Sequence, residues 1–272
     1  MRMNISSGAR LLACASLVGA ASVGTAMAQQ VPDFGSNEVG WVSAGDPVAA
    51  PSSPPIITQD PAHRYVPNNT GEQPTYRMGD VSNPNLKPWV KERMRRDNDE
   101  VLAGKIGFTP RSSCMPAGVP GFFTYPVRPV YFLQTAREVA IIYSGDEQVR
   151  HVYLDTAHSE HPTPSWYGES VGHYEGDALL IDTIGETTRT FIDNYRTPHS
   201  DKLHVVERYR MVDGGKTMEV AFRVEDPDAF NAPWSAIKRY RRVTEPMVEE
   251  VCAENNRHLF DYHIPVANKP DF

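Results

Sequence analysis

Residues 203–224 read LHVVERYRMVDGGKTMEVAFRV, which has the pattern of an antiparallel β-hairpin. In the first half Val205 and Tyr209 alternate with polar neighbours, and in the second half Val220 and Phe222 do the same. A period of two residues is typical of a half-buried strand. Asp213-Gly214-Gly215 separates the two halves and is a turn signal. The stretch therefore predicts two neighbouring strands that turn one face towards a core.

Short runs rich in Val, Ile, Tyr and Phe continue this pattern along the chain, separated by turn signals such as Glu175-Gly176-Asp177. Together with the opening hairpin they predict seven strands: Val130–Thr135, Glu138–Ser144, Gln148–Leu154, Ala178–Ile184, Leu203–Met211, Thr217–Val224 and Ser235–Val243. With no helical pattern between them, the fold class is mainly β, an antiparallel meander. Closing the meander into a lipocalin-like β-barrel removes its exposed edges, and a two-sheet sandwich is the alternative. A barrel of about eight strands leaves room for one small ligand.

Two segments precede the strands. Residues 88–103 predict one flanking helix, because Pro88 suits a first helical position and Val90, Met94 and Val101 form an apolar stripe. Residues 29–87 are rich in Pro, Ser, Asn and Gly, a composition that predicts an extended arm outside the core. The expected division is a signal peptide at 1–28, the arm at 29–87 and a barrel domain at 88–272.

Residues 1–28 have the features of a secretory signal peptide. Arg2 and Arg10 precede an apolar stretch, and Ala26-Met27-Ala28 fits a cleavage site. Removing this segment would take the net charge from −7 to −9, since both arginines leave with it. An acidic chain lacks the basic excess typical of nucleic acid binding, and no later stretch has the length of a membrane span. A periplasmic or secreted location follows, with the oligomeric state left open.

Outside the signal segment the chain has two cysteines, Cys114 and Cys252. An even number of cysteines in an exported chain predicts a disulfide, and two buried thiols are the alternative. Neither cysteine stands in a CxxC motif or at ligand spacing from a histidine, so a zinc–thiolate site is not expected.

Six of the nine histidines fall between residues 151 and 204, among many carboxylates. His158 and His161 lie in a loop-like stretch and do not form the HExxH helix of a zinc hydrolase. There is no nucleophile elbow, no P-loop and no dinucleotide fingerprint. Chemistry by side chains alone, with no cofactor and no metal, is therefore the expectation.

An ordered set of motifs extends from residue 86 to residue 257: C-x-P-x-G-x-P at 114–120, G-H-x-E-G-D at 172–177, H-x-x-E-R at 204–208 and E-x-x-C-x-E-N at 249–255. This set resembles a large family of exported bacterial proteins, most of them without an assigned function. The resemblance implies export, pairs both cysteines with family positions, and marks a polar signature: His161, His173, Glu175, Asp177, His199, His204 and Glu207. Tyr174 departs from the tryptophan of many relatives, so no shared substrate is implied.

These features predict a cofactor-independent periplasmic enzyme of the lyase type, acting on a small phenolic compound by dehydration, decarboxylation or C–C cleavage. The predicted acids and bases are His161, His173, His199, His204 and Glu207. Arg208 would hold an anionic group, while Tyr174, Tyr209 and Trp166 would position a ring. The alternatives are a barrel that binds a small hydrophobic ligand without catalysis, a metal-dependent hydrolase using His158 and His161, and a structural envelope protein.

Overall fold

The computed structural model describes residues 31–35, 39–124, 128–145 and 148–252. Nine strands close into a β-barrel in which the first strand pairs with the last, and a further short strand of two residues pairs with the beginning of the last strand. The strands are β1 Gly40–Ser43, β2 Val48–Ala49, β3 Val130–Gln134, β4 Glu138–Tyr143, β5 Gln148–Leu154, β6 Glu169–Glu175, β7 Ala178–Ile184, β8 His204–Val212, β9 Thr217–Glu225 and β10 Trp234–Val243. The predicted barrel is confirmed.

One strand pair departs from the predicted antiparallel meander. β5 and β6 are parallel, with Val152 opposite Ser170, whereas all other neighbouring strands of the described barrel are antiparallel. The connecting residues 155–168 cross from one end of the barrel to the other before β6 begins. β6 itself was missed as a strand because its Gly, His and Glu residues resemble turn composition. The hairpin turn predicted at Glu175-Gly176-Asp177 is present, since Glu175 pairs with Ala178.

The Pro-rich segment is part of the barrel domain, contrary to the predicted separate arm. Its strand β1 fills the place between β3 and β10 and closes the barrel. Phe34, Trp41, Ile57 and Met78 are buried. Prolines stop this segment from forming a periodic element, but single apolar side chains spaced along an extended chain still insert into the core. Single apolar anchors of this kind leave no periodic run in the sequence, so the composition of the segment did not predict their burial.

The flanking helix α1 spans Pro88–Leu102, as predicted to within one residue. Val90, Met94 and Val101 are buried, and Asn98 completes the buried stripe. The Asn98 side chain accepts a hydrogen bond from the backbone N–H of Gly79 and donates one to its carbonyl oxygen. These bonds satisfy the buried amide and attach the helix to the preceding segment.

Aromatic side chains fill the barrel interior. Tyr209 lies edge-on to Phe34, Phe123 and Phe132, with ring centroids 5.8–6.5 Å apart, and all four residues are buried. Edge-to-face contacts of this kind add stability beyond the burial of area alone. Since the middle of the barrel is occupied by protein, a ligand would have to bind at an end of the barrel or on its surface.

A short second helix, α2 (Gly121–Thr124), and a 3₁₀ turn at Pro110–Ser113 lie close to one end of the barrel. The predicted disulfide joins Cys114, directly after that turn, to Cys252 near the end of the described chain. Within the described residues, no helix combines the length and the apolar character needed to cross a membrane.

Candidate functional site

The structure separates the residues that the sequence suggested as one site. On β8 the odd-numbered side chains, Glu207 and Tyr209, point into the barrel, whereas His204 and Arg208 lie on its outer face. A strand sends successive side chains to opposite faces, so neighbours in sequence lie on different sides of the wall. Predicted catalytic groups that are three residues apart therefore do not meet.

Glu207 is part of a closed ion pair inside the barrel. Both of its carboxylate oxygens accept hydrogen bonds from Arg150, and the Glu207 and Arg150 side chains are fully buried. Ser170 and Thr183 accept further bonds from the guanidinium, and the Tyr209 hydroxyl donates to Glu207. Burial alone would lower the pKa of Arg150, but the adjacent carboxylate outweighs it and holds the pKa above its ordinary value. The pair stabilises the barrel wall and has no access to a substrate.

His199 lies in a second buried cluster. Its Nε2 is 2.8 Å from Thr190 Oγ1, and its Nδ1 is 2.8 Å from the carbonyl oxygen of Ser200. Burial lowers the pKa of His199 and raises the pKa of nearby Glu186 to about 8. Glu186 accepts hydrogen bonds from Thr190 and from the backbone N–H of Val119. Both histidine nitrogens are engaged, so the cluster anchors the 118–119 segment and does not present an acid or base to a ligand.

His204 belongs to a chain of alternating imidazoles and carboxylates on the outer surface. Its Nε2 is 3.0 Å from Asp182 Oδ1, and the same oxygen is 2.9 Å from His158 Nε2. His158 Nδ1 is 3.0 Å from Glu169 Oε1. The hydrogen bond to Asp182 raises the pKa of His204, and the bond from His204 lowers the pKa of Asp182. These hydrogen bonds attach the start of the 155–168 crossover to the barrel.

The remaining predicted residues are spread over the molecule. His161 and His173 are exposed, on the crossover and on β6 respectively. Arg208 lies 3.5 Å from Glu175 on the outer surface. Tyr174 points inwards, where its hydroxyl accepts a hydrogen bond from Gln134, and Trp166 is half-buried in the crossover. The predicted set therefore does not form one cavity.

The described part of the chain brings no three His, Cys, Asp or Glu side chains into a group able to hold a metal ion. The loop pair His158 and His161 in particular is divided, since His158 faces two carboxylates and His161 faces solvent.

A polar cleft of about 560 Å³ lies at one end of the barrel. We call it the mouth cleft. Strands β1, β4 and β10 contribute its floor, and the segments around residues 65–77, 109–121 and 191–194 form its walls. The residues that line it include Ser43, Asp46, Tyr65, Tyr76, Arg77, Arg111, Arg128, Tyr143, Phe191, Asp193, Lys238 and Glu250. Concave sites with a few polar groups among aromatic side chains are typical of ligand binding.

Lys238 places an amine in the floor of the mouth cleft. It occupies an inward position on β10 and is 1 % exposed. Its Nζ donates hydrogen bonds to Ser43 Oγ, at 2.7 Å, and to the carbonyl oxygen of Gly45. Burial lowers the pKa of Lys238 to about 8, against a smaller opposing effect of Asp46. A substantial fraction of this amine is therefore neutral slightly above pH 7.

Asp193 lies in the wall of the same cleft, and burial raises its pKa to about 6. The carboxylate accepts hydrogen bonds from the backbone N–H groups of Tyr195 and Thr197 and from the Thr197 hydroxyl. These bonds hold the 193–197 turn, so Asp193 shapes the wall of the cleft. With a pKa of about 6, its carboxyl group gains or loses a proton near neutral pH.

Sequence reasoning missed the mouth cleft. Lys238 stands in the run Lys238–Arg242, which resembles a solvated charged face. Its place in the alternating pattern of the strand could have indicated burial, because Trp234, Ala236 and Tyr240, which point to the same face as Lys238, are apolar or aromatic. Arg77 and Arg111 lie in irregular segments that carry no periodic signal at all. Comparison of the chain with protein-family models, with curated protein sequences and with solved structures gives no match.

Proposed function

We propose that this protein is a periplasmic, cofactor-independent enzyme that performs lyase-type proton transfer on a small phenolic compound bound in the mouth cleft. The observation that carries the proposal is the Lys238 amine, buried in the cleft floor with a pKa lowered to about 8. General bases work best when their pKa lies near the working pH. The proposal keeps the reaction class expected from the sequence and moves its site.

In this proposal Lys238 accepts a proton from the phenolic hydroxyl or from a carbon next to the ring, and its ammonium form returns the proton to the product. Ser43 orients the amine through the bond to its hydroxyl. The rings of Tyr76 and Phe191 line the cleft, and an aromatic substrate can pack against them. The apolar packing excludes water from one side of the amine and keeps its neutral form accessible.

Export is part of the proposal. It is supported by the signal-like features of residues 1–28 and by the disulfide between Cys114 and Cys252, a bond that persists in oxidising compartments.

The test is turnover by the purified protein of a panel of phenolic acids and lignin-derived phenols, followed by mass spectrometry of the products. Lys238→Met should lower turnover by at least about a hundredfold, the usual contribution of a general base. The control is Lys216→Met, which changes an exposed lysine outside the cleft. In the wild type the rate should rise with pH to a plateau above about pH 8. Absence of turnover across the panel, or an unchanged rate in Lys238→Met, would overturn the proposal.

A non-catalytic carrier is the second candidate. The observation that favours it is that Lys238 is held by two hydrogen bonds to Ser43 and Gly45, which suits a binding group as well as a base. Native mass spectrometry of protein from its own host distinguishes the two, because a carrier retains an unaltered ligand and forms no product. The metal-dependent hydrolase lacks support from the described histidines and carboxylates, because they form no ligand group.

A further inference from the structure

We infer that the outer face of β8, β9 and β10 binds the phosphate headgroups of an anionic lipid bilayer. This face lies on the other side of the barrel wall from the floor of the mouth cleft. Successive side chains of a strand point to opposite faces, so the inward Lys238 and the exposed Arg239 lie on opposite sides of β10. The inference therefore goes beyond the proposed function and does not depend on it.

Six cationic side chains cluster on this face around one carboxylate. Arg210 on β8 and Arg239 on β10 lie on either side of Glu219 on β9, in one row across the sheet. Arg208 lies in the next row on one side, where it faces Ala221, and Arg241 lies in the next row on the other side. We call this group the arginine face; it comprises Arg208, Arg210, Lys216, Glu219, Arg239, Arg241 and Arg242.

Carboxylates balance only part of this charge. One oxygen of Glu219 accepts hydrogen bonds from Arg239 at 2.8 and 3.0 Å, and the other accepts a bond from Arg210 at 3.3 Å. A single carboxylate therefore serves two guanidiniums. Arg208 lies 3.5 and 3.9 Å from two carboxylates of the 175–177 turn. Arg223 lies farther along β9 and pairs with Glu225, so it adds no net charge to the face.

Lys216, Arg241 and Arg242, at the end of the arginine face, have no such partner. All three are exposed, and no carboxylate of the described residues lies within 4.0 Å of their charged nitrogens. The backbone N–H of Arg242 donates to the carbonyl oxygen of Lys216 at 2.9 Å, which keeps these two positions side by side. The whole chain has a net charge of −7, so this local excess of cations is opposite in sign to the average. A cationic patch on an acidic protein turns the molecule towards an anionic surface.

The type of cation and its spacing favour a surface that carries many phosphates. Five of the six cations are arginines, and a guanidinium binds phosphate oxygens through two parallel N–H···O bonds. Outward side chains of one strand follow each other at about 7 Å, and neighbouring strands lie about 4.8 Å apart. The sheet therefore presents guanidiniums as a closely spaced array that can contact several phosphates at once.

Apolar side chains beside the arginines favour a bilayer over a dissolved polyanion. Val48 on β2 is 62 % exposed and pairs with Ile237, which precedes Arg239 by two residues on the same outer face. Val42 on β1 pairs with Arg241 and shares its side of the sheet. At a membrane surface, cations bind the headgroups while neighbouring aliphatic groups reach the boundary of the acyl chains. A nucleic acid would use the charges and leave Val48 in water.

The first experiment is co-sedimentation of the wild-type protein with vesicles of phosphatidylcholine, with and without phosphatidylglycerol. We expect at least about tenfold tighter binding to the vesicles that contain phosphatidylglycerol, because several cations face the anionic headgroups together. This affinity should fall several-fold between about 0.05 and 0.5 M salt. A double-stranded DNA oligonucleotide is the comparison polyanion and should bind more weakly. Equal binding to both kinds of vesicle, no binding to either, or DNA binding as tight as vesicle binding would overturn the inference.

The second experiment removes the two arginines that lack a carboxylate partner. Arg241→Gln combined with Arg242→Gln should weaken binding to the anionic vesicles at least about tenfold. The matched control combines Arg95→Gln with Arg96→Gln on the exposed side of α1, which changes the net charge by the same amount. It should bind like the wild type.

Circular dichroism first shows whether the β10 double variant is folded. If it is not, Lys216→Gln at the adjoining turn decides, with an expected several-fold loss of binding. Unchanged vesicle binding in the deciding variant contradicts the inference. An equal loss in the α1 control also contradicts it, because the net charge and not the arginine face would then govern binding.

A third variant tests the apolar contact. Val48→Asn should weaken vesicle binding at least about threefold without changing DNA binding, because its side chain no longer enters the apolar boundary of the bilayer. Leu102→Asn is the matched control, since Leu102 is an exposed aliphatic residue on α1. Unchanged vesicle binding in Val48→Asn contradicts the choice of a bilayer as partner. Lys238→Met should bind vesicles like the wild type, so failure of the enzyme proposal leaves this inference standing.

Discussion

Successive residues of each strand in this barrel point alternately to the inside and to the outside. Glu207 is the clearest case, since its odd-numbered position places a carboxylate among apolar neighbours. Arg150 has the same kind of position on β5 and supplies the opposite charge. A buried carboxylate needs such a partner, because an unpaired charge in the interior is strongly destabilising. Both charges are therefore structural.

Glu207→Leu should destabilise the protein by about 3–5 kcal/mol, because it leaves the Arg150 charge buried without a partner. Adding Arg150→Met should recover at least half of that loss, since the pair is then replaced by apolar side chains. Urea unfolding measures both values. The control, Glu175→Leu, changes an exposed carboxylate. Equal losses in Glu207→Leu and Glu175→Leu would contradict the structural role.

His204 should contribute to stability in a limited pH window. The pKa of Asp182 is lowered and that of His204 is raised, so both are charged between the two folded pKa values. The contribution is complete from about pH 4 to about pH 6.5, and it is lost as the pH falls through the folded pKa of Asp182 or rises through that of His204. We expect His204→Gln to lose up to about 1 kcal/mol at pH 5, because the pair is half-exposed, and less at pH 8.5.

Urea unfolding at the two pH values checks this expectation, with the exposed His173→Gln as control. A larger loss at pH 8.5 than at pH 5 for His204→Gln would contradict the assigned directions of the pKa shifts.

At the scale of elements, β1 completes the barrel. Without it, β3 and β10 would each present an unpaired edge, and unpaired edges promote aggregation. Trp41 anchors this strand, because its ring is fully buried and its Nε1 donates to the carbonyl oxygen of Phe34 at 2.8 Å. One large side chain therefore attaches an otherwise irregular segment to the core.

Trp41→Ala should destabilise the protein by about 3–5 kcal/mol through the cavity that it leaves next to the barrel wall. The matched variant Trp89→Ala, whose side chain is 43 % exposed on α1, should cost about 1 kcal/mol or less. Thermal and denaturant unfolding compare the two. If Trp41→Ala is as mild as Trp89→Ala, β1 does not contribute to the stability of the barrel.

At the scale of the whole molecule, the disulfide connects two segments that border the mouth cleft. Cys114 follows the 3₁₀ turn that carries Arg111, and Cys252 follows Glu250, which pairs with Arg128. The bond spans 138 residues of sequence, including every strand from β3 to β10. Global stability and the geometry of the cleft therefore depend on the same covalent link.

Replacing both cysteines by serine should lower the free energy of unfolding by about 4–5 kcal/mol, the loop-entropy value for a loop of this length. Calorimetry with and without reductant provides the check. The wild type should respond to reductant and the double variant should not. An identical melting temperature in both proteins without reductant would contradict a stabilising disulfide.

The sequence by itself determined the strands with a clear period of two, the helix from Pro88, the hairpin turns and the mainly β class of the fold. It favoured a closed barrel over a sandwich and a disulfide between Cys114 and Cys252 over two thiols, without deciding either. These features depend on local periodicity, on turn chemistry and on the fact that only two cysteines, Cys114 and Cys252, follow the signal segment. Tertiary structure alone decided that His204 and Glu207 lie on opposite sides of the wall, that β1 closes the barrel, and that Arg77, Arg111 and Lys238 meet in one cleft. The reason is physical: convergence of side chains from distant segments is set by how the sheet closes, and no local pattern encodes that closure.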